Sequence, residues 1–469
     1  MRPLNTPARL ALPQDGDTVE LHPPRAVRWI ARRLEEAGYE TWAVGGAIRD
    51  AVLGIPSDDW DLTTRARPEE IRRVFRRTVP IGIEHGTVGV FGRDRVLYEV
   101  TTFRRDVETF GRHAVVEFAD TLTEDLARRD FTCNAIAWSP RTREISDPYG
   151  GLIDLSEGVL RTVGRPEDRF AEDYLRVLRA LRFAGHFELT IEPATWKALA
   201  EATPHLTKLS AERVREELWK ILENSRRASA GLSLYAAAGV LEVLYPELEA
   251  LVGLDQGADH HFDAWTASLI AIDSIPPTRP LLRLAALLHA IGKPGVRMRD
   301  LRGGWRYTGH EVVGERKATE VMRRIRSSNA ETEWVARLVR HQADLFPPDA
   351  SGASVRRWLH QTGPDLVYDL FRLRFALWRA QTGRLGPVRG RAAPRDLLDR
   401  WRAVHHTILS RPPLAVPDLA IRGNDLIEAG IEPGPRLGET LRLLLERVLE
   451  EPELNTREGL LEIVRSEMN

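Results

Sequence analysis

Cysteine is almost missing from this chain: one thiol, Cys133, in 469 residues. That excludes an internal disulfide and a cysteine-based zinc site, and it fits a reducing compartment, so a cytoplasmic location is expected. Long apolar runs are missing too. The longest candidate, 281–291, is broken by Arg283 and His289 and falls short of the roughly 20 residues of a membrane span. The opening MRPLNTPARLALPQDGD has prolines and acidic residues where a signal peptide needs an apolar core, so neither leader nor membrane partner is expected. Net charge is also near zero, with 67 Lys+Arg against 68 Asp+Glu. The molecule as a whole therefore does not attract nucleic acid, and an RNA partner would need a local basic face. There is no repeat of fixed period, no low-complexity stretch, and no pattern that points to a protein partner.

What is present is a helix-friendly mixture of Arg, Leu, Glu and Ala, with Val/Ile/Thr-rich segments mainly in the first third. The length implies more than one domain. The positive charge is nearly all arginine, which suits bidentate phosphate contacts and equally reflects genome composition. Residues 1–24 read as a loose arm. A helix is expected over 25–38, a strand over 41–46, a helix over 47–53 closed by Gly54 and Pro56, a strand over 59–62, and a helix over 67–75. TVGVFG (87–92) and RVLYEVTTF (95–103) read as a β-hairpin. The expected fold is a small mixed α/β head over 25–150 followed by an all-α neck (151–225), body (226–345) and tail (346–469).

The chemistry concentrates between 44 and 64. Asp59-Trp60-Asp61 on a strand would place two carboxylates on one face. Carboxylates that close raise each other's pKa unless a cation sits between them. Mg²⁺ fits, because it prefers a few carboxylates completed by phosphate oxygens and water. Two such ions, about 3.5–4 Å apart, can activate a 3′-hydroxyl and stabilise leaving pyrophosphate. Gly45-Gly46 before a helix would cradle phosphate, and Arg49, one turn in, could reach it. Glu99 on the following hairpin is a candidate third carboxylate, or a solvent-facing strand glutamate.

GGAIRDAVLG…DDWDLTT resembles the signature of the class II tRNA nucleotidyltransferases, the CCA-adding enzymes and their poly(A) polymerase relatives. Three further stretches match in order: Glu124–Ala135 (EDLARRDFTCNA), Asp147–Gly151 (DPYGG) and Arg169–Phe183 (RFAEDYLRVLRALRF). SAER at 210–213 with Glu217-Leu218 resembles the neck that follows. The resemblance implies that Arg128, Arg129, Asp130 and Asn134 help hold the nucleotide's sugar and triphosphate. Asp130 and Asn134, four apart, would share a helix face. Cys133 reads as a small buried hydrophobe. Glu172-Asp173-Tyr174-Leu175-Arg176 would be the amino-acid template for the base. An Asp acceptor beside an Arg donor complements cytosine and adenine and leaves uracil or guanine with unpaired groups. Asp173 and Arg176 would act together as i and i+3 of a helix, and Arg179 and Arg182 would continue that face towards phosphate. The implied partners are tRNA, CTP and ATP.

Some bacterial relatives carry an HD-type metal phosphohydrolase domain. Here LLHAIGKP (287–294) resembles its core, with Ala290 in place of the paired aspartate. HHFDAWTA (260–267) has Ala267 where a histidine is expected; His310 and His341 remain downstream. Alanine offers no donor, so a structural remnant without phosphatase activity is expected, with His289 as a hydrogen-bonded core residue. Lys317, Arg323, Arg324 and Arg326 form a possible phosphate-contacting stripe. IRGNDL (421–426) with Pro433-Gly434-Pro435 resembles the family's bacterial tail, with a helix starting near Arg436. Complete CCA addition, partial CC or A addition, poly(A) synthesis and an idle RNA-binding scaffold all remain readings. Ile81–Thr87 lacks the Gly-Arg-Arg-Phe-like stretch of poly(A) polymerases. The segment after Arg104, where full and partial enzymes of the family differ, is slightly short.

Overall fold

The computed structural model describes residues 13–110, 113–299, 301, 303–343, 346–347, 350–383 and 394–468. It falls into two compact units divided between Leu244 and Tyr245.

The first unit opens with helix α1 (Arg25–Glu36), whose Val27, Ile30, Ala31 and Leu34 are fully buried. Then come β1 (Thr41–Val44), α2 (Gly46–Val52), β2 (Asp61–Thr64), α3 (Pro68–Val74), β3 (Thr78–Gly82), β4 (Thr87–Phe91) and β5 (Leu97–Thr102). β6 (Arg104–Phe110) and β7 (His113–Phe118) form a separate two-stranded ribbon, and α4 (Leu122–Ala127), β8 (Ala137–Trp138) and β9 (Ile145–Ser146) complete the head. The seven-stranded sheet has the order β3-β4-β5-β2-β1-β8-β9. β2 is the hinge of the arrangement: antiparallel to β1, with Val44 opposite Asp61, and parallel to β5, with Leu62 opposite Val100. Val44, Phe103, Leu126, Ala135 and Ala137 pack into one apolar cluster that supports it.

Two expectations shift. The strand begins at Asp61, so Asp59 lies outside it. β1 ends at Val44, and the ladder has no partner before Asp61. The described part of the arm is not loose: Gly16 and Val19 donate backbone hydrogen bonds to Ile145 and Arg143, and Trp138 Nε1 donates to the Val19 carbonyl. Residues 1–12 lie outside the described residues. The segment after Arg104 runs largely as the β6–β7 ribbon, while 111–112 fall outside the described residues.

Helices α5 (Gly151–Glu157), α6 (Pro166–Glu172), α7 (Leu175–Phe187), α8 (Pro193–Ala202), α9 (Ala211–Asn224) and α10 (Ala228–Ala237) follow. Asp147 accepts the Gly151 and Leu152 amides at the start of α5. A Cβ on Gly151 would lie 2.2 Å from the Thr132 carbonyl oxygen, so only glycine lets this helix approach. Likewise a Cβ on Gly185 would lie 2.3 Å from Gly231 N, which brings α7 and α10 backbone to backbone. The second unit is almost entirely helical, from Pro246–Glu249 to Arg457–Met468. The tail helix starts at Pro435 as the Gly-Pro turn implied, and its Leu444, Leu445, Val448 and Leu449 form a core with Leu460 and Val464. No helix among the described residues is long and apolar enough to cross a membrane.

Candidate active site

The turn between β1 and α2 sets the floor of the site. Gly45 has φ +83°, which favours glycine, and a Cβ there would lie 3.2 Å from Arg129 Nη1 and 3.8 Å from Asp61 Oδ2. Trp60 buries its ring and donates Nε1 to the Ser57 carbonyl. This turns Trp60 inward and leaves Asp59 exposed beside half-buried Asp61. Burial first, then Asp59 and Glu99, push the Asp61 carboxyl up to about 6 against the opposing pull of Arg129. Glu99 is exposed on β5 but acts on Asp61, which supports the third-carboxylate reading in electrostatic terms.

A cavity of about 410 Å³ joins these groups to the neck, and Asp61, Glu99, Arg129, Asp173, Arg176 and Arg213 line it. Arg128, Asp130, Arg179 and Arg104 line it too. Arg129 is held at 3.6 Å from buried Asp125, and its buried Nε has no partner among the described residues. Arginines and carboxylates that line one cavity together suit a triphosphate bridged by metal. No three His, Cys, Asp or Glu among the described residues form a ready cage. Asp59 and Asp61 are the residues that could hold a divalent ion whose other ligands come from phosphate and water, the donor set Mg²⁺ prefers.

The RRD segment is built differently from the expectation. Asp130 precedes a 3₁₀ turn (Thr132–Asn134), so it and Asn134 do not share an α-helix. They meet nonetheless: Asn134 Nδ2 donates to Asp130 Oδ1 at 2.9 Å, and Arg179 Nε donates to Oδ2 at 2.7 Å. Burial alone would raise Asp130, but Arg179 and Asn134 outweigh it and hold the carboxyl at about 2. Cys133 is buried, and burial pushes its thiol up to about 12, as a small core residue requires.

Arg49 does not reach the cavity. It is buried, donates Nη1 to Asn134 Oδ1 at 2.6 Å and lies over Phe187, 4.3 Å from the ring centroid. It braces the Asn134–Asp130–Arg179 chain from behind. Arg182 is likewise committed, donating Nε to buried Glu217 at 2.6 Å. Neither residue lines the cavity.

The template segment straddles a break. α6 ends at Glu172, Asp173 has extended backbone (φ −154°, ψ 107°), and α7 begins at Leu175. Asp173 and Arg176 are therefore not i and i+3 of one helix. Arg176 pairs with Glu172 and donates Nη1 to the Arg169 carbonyl. Asp173 takes a two-pronged bond from Arg213 of α9, at 3.1 and 2.6 Å, and accepts the Leu175 amide. Arg213 is the residue that sequence reasoning missed as a site member. Its SAER motif marked the neck, but nothing local showed that it spans to Asp173, 40 positions away.

A mixed sheet with paired carboxylates beside a Gly-Gly turn and an arginine wall is that of a nucleotidyltransferase head. The "Poly A polymerase head domain" model matches residues 41–161, the "Probable RNA and SrmB- binding site of polymerase A" model 188–251, and tRNA nucleotidyltransferase domain 2 310–464. A CCA-adding enzyme of Lactobacillus delbrueckii is 33% identical over 90% of this chain and 92% of its own. An A-adding tRNA nucleotidyltransferase of Deinococcus radiodurans is 34% identical over 86% and 90%. The crystal structure of a Bacillus stearothermophilus CCA-adding enzyme in complex with CTP superposes with a TM-score of 0.72 at 27% identity, covering 95% of this chain and 98% of that one. The chain belongs to the class II tRNA nucleotidyltransferase family.

Proposed function

We propose that this enzyme adds CCA to tRNA 3′ ends from CTP and ATP, one nucleotide at a time, with catalysis and base choice in one cavity of the first unit. The observation that carries this is the shared lining: Asp61 and Glu99 on one side, Asp173, Arg176 and Arg213 on the other. Asp59 and Asp61 would hold two Mg²⁺ ions, with Glu99 adjacent. Those ions would supply Lewis-acid activation of the 3′-hydroxyl and charge neutralisation at the leaving pyrophosphate. Gly45 and Gly46 keep the floor low enough for phosphate to approach Arg129. Arg128, Arg129 and Arg179 face the triphosphate with fixed charge, and Asp130 and Asn134 hold Arg179 and the wall in place.

Base choice follows from the hydrogen-bond count. A carboxylate offers about four acceptor positions. Arg213 Nη1 and the Leu175 amide occupy Asp173 Oδ1, and Arg213 Nη2 occupies Oδ2. One position remains on Oδ2, sized for the exocyclic amino group of cytosine or adenine. Arg176, steadied by Glu172, supplies the donor for the neighbouring ring nitrogen. Uracil and guanine would present a carbonyl to the carboxylate and leave a buried group unpaired.

The second reading is addition of the terminal A alone, favoured by the similarity to the Deinococcus radiodurans enzyme. Incubating the pure protein with tRNAs lacking CCA, CA or A, together with CTP and ATP, separates the two. Extension of all three substrates to the mature end supports CCA addition. Extension only of the tRNA lacking A sinks it in favour of the second reading.

A further inference from the structure

The second unit contains its own cavity, of about 690 Å³, around the segment that resembles a metal phosphohydrolase core. Lys293, Arg306, Arg374, His260, His289 and His310 all line it, against a single lining carboxylate, Asp259, which is exposed; Glu311, outside the lining, lies 3.3 Å from His310 Nδ1. Both alanines stand at the expected ligand positions and are buried: Ala267 lines the wall and Ala290 is fully enclosed. His289 Nδ1 is engaged with the Ala286 carbonyl at 2.8 Å. His341 does not line the cavity. Metal chemistry has no built donor set here.

The cavity is instead short of negative charge. Lys293 is 6% exposed, and its Nζ donates to the neutral Gln256 Oε1 and lies 5.6 Å from the Tyr307 ring centroid. Burial with no carboxylate partner drags it down to about 8. Burial and Lys293 hold His289 near 3, and burial and Lys293 hold His260 near 4; Asp255 and Asp259 relieve His260 only in part. His260 Nδ1 is buried with no partner among the described residues. A buried lysine beside imidazoles held neutral in this way is complementary to an anion, whose arrival would favour their charged forms. The volume lies within the range of small-molecule sites, and Tyr307 on the wall offers an aromatic face to a base, while Arg297 and Arg299 lie over the Trp305 ring.

We propose that this cavity is a metal-free binding site for a phosphate monoester of mononucleotide size, its phosphate set against Lys293 with His260 and His310 around it. Lys293 lies too deep for the backbone of a folded RNA, so a free nucleotide is the favoured source. The test is ¹³C-histidine NMR on the full chain in EDTA, with the His260 and His310 signals assigned by His260→Gln and His310→Gln. Inorganic phosphate should move both signals saturably, and AMP should do so at lower concentration. Lys293→Met should weaken this about tenfold, the loss of one charge-assisted bond, while nucleotide addition to tRNA is unchanged. His260→Gln, nearer the rim, should weaken it less, and keeps the test valid if the Lys293 variant fails to fold. Signals that stay fixed up to about 10 mM ligand, that respond only when divalent metal is added, or that move with tRNA and not AMP would each overturn the proposal.

Discussion

The two cavities differ in the sign of the buried group left unrelieved, although arginines outnumber carboxylates in the lining of the first. In the first unit, burial first and then neighbouring Asp59 and Glu99 raise the Asp61 carboxyl to about 6. In the second, a lysine and histidines crowd together and are lowered. Burial disfavours a charge that no neighbour offsets, so Asp61 and Lys293 each mark the sign of the partner missing beside them. Asp130 provides the internal control. It is as deeply placed as any of these groups, yet Arg179 and Asn134 satisfy it and hold it at about 2. Burial alone does not identify a binding site; burial without a counter-charge does.

The comparison can be broken by single substitutions. The largest effect is expected at the carboxylates: Asp59→Ala and Asp61→Ala should each lower nucleotide incorporation by about a thousandfold or more, with tRNA binding by gel shift nearly unchanged. Retained incorporation would remove the metal site from the account. Arg213→Met should reduce kcat/KM for CTP and ATP by about 10–100-fold and raise the share of UTP and GTP incorporated, since Asp173 is then no longer oriented. Equal loss for all four nucleotides would make Arg213 merely structural. Gly45→Ala should cost about tenfold in incorporation, because it strains a positive φ and presses on Arg129. Asn134→Ala should act mainly on stability, by about 1–3 kcal/mol in urea unfolding, since it cuts the link between Arg49 and Asp130.

The head was legible in the sequence because its signals are local. Alternation marks β4 and β5, the Gly-Gly turn marks the start of α2, and the buried face of α1 follows helical spacing. Pairing geometry was less legible. Asp59 fell outside its strand because β1, far along the chain, ends at Val44. Spacing placed Asp173 and Arg176 on one helix, but the chain breaks at Asp173, whose partner is Arg213. Arg49 and Arg182 looked available because sequence does not show which arginines a buried Asn134 or Glu217 already holds. Arg324 of the expected basic stripe is similarly committed, to Glu247 at 2.6 Å. Arginine-rich motifs reveal where anions are handled, but not which guanidinium does so.

The sign of each cavity's deficit can be measured, most directly at Asp61. Its folded-state pKa, about 6, lies well above the ordinary aspartate range. The folded protein therefore holds a proton that the unfolded chain has released, and stability falls as pH rises through that window. At pH 7 the whole penalty is present, and a neutral amide removes it. Melting and nucleotide incorporation should be followed on one preparation of Asp61→Asn. In EDTA at pH 7 the variant should be more stable than the parent by roughly 2 kcal/mol. It should gain no further stability from Mg²⁺, which raises the parent, and it should incorporate no nucleotide. A variant that melts below the parent in EDTA, or that keeps its activity, would contradict the claim that this carboxylate cluster is built for a cation.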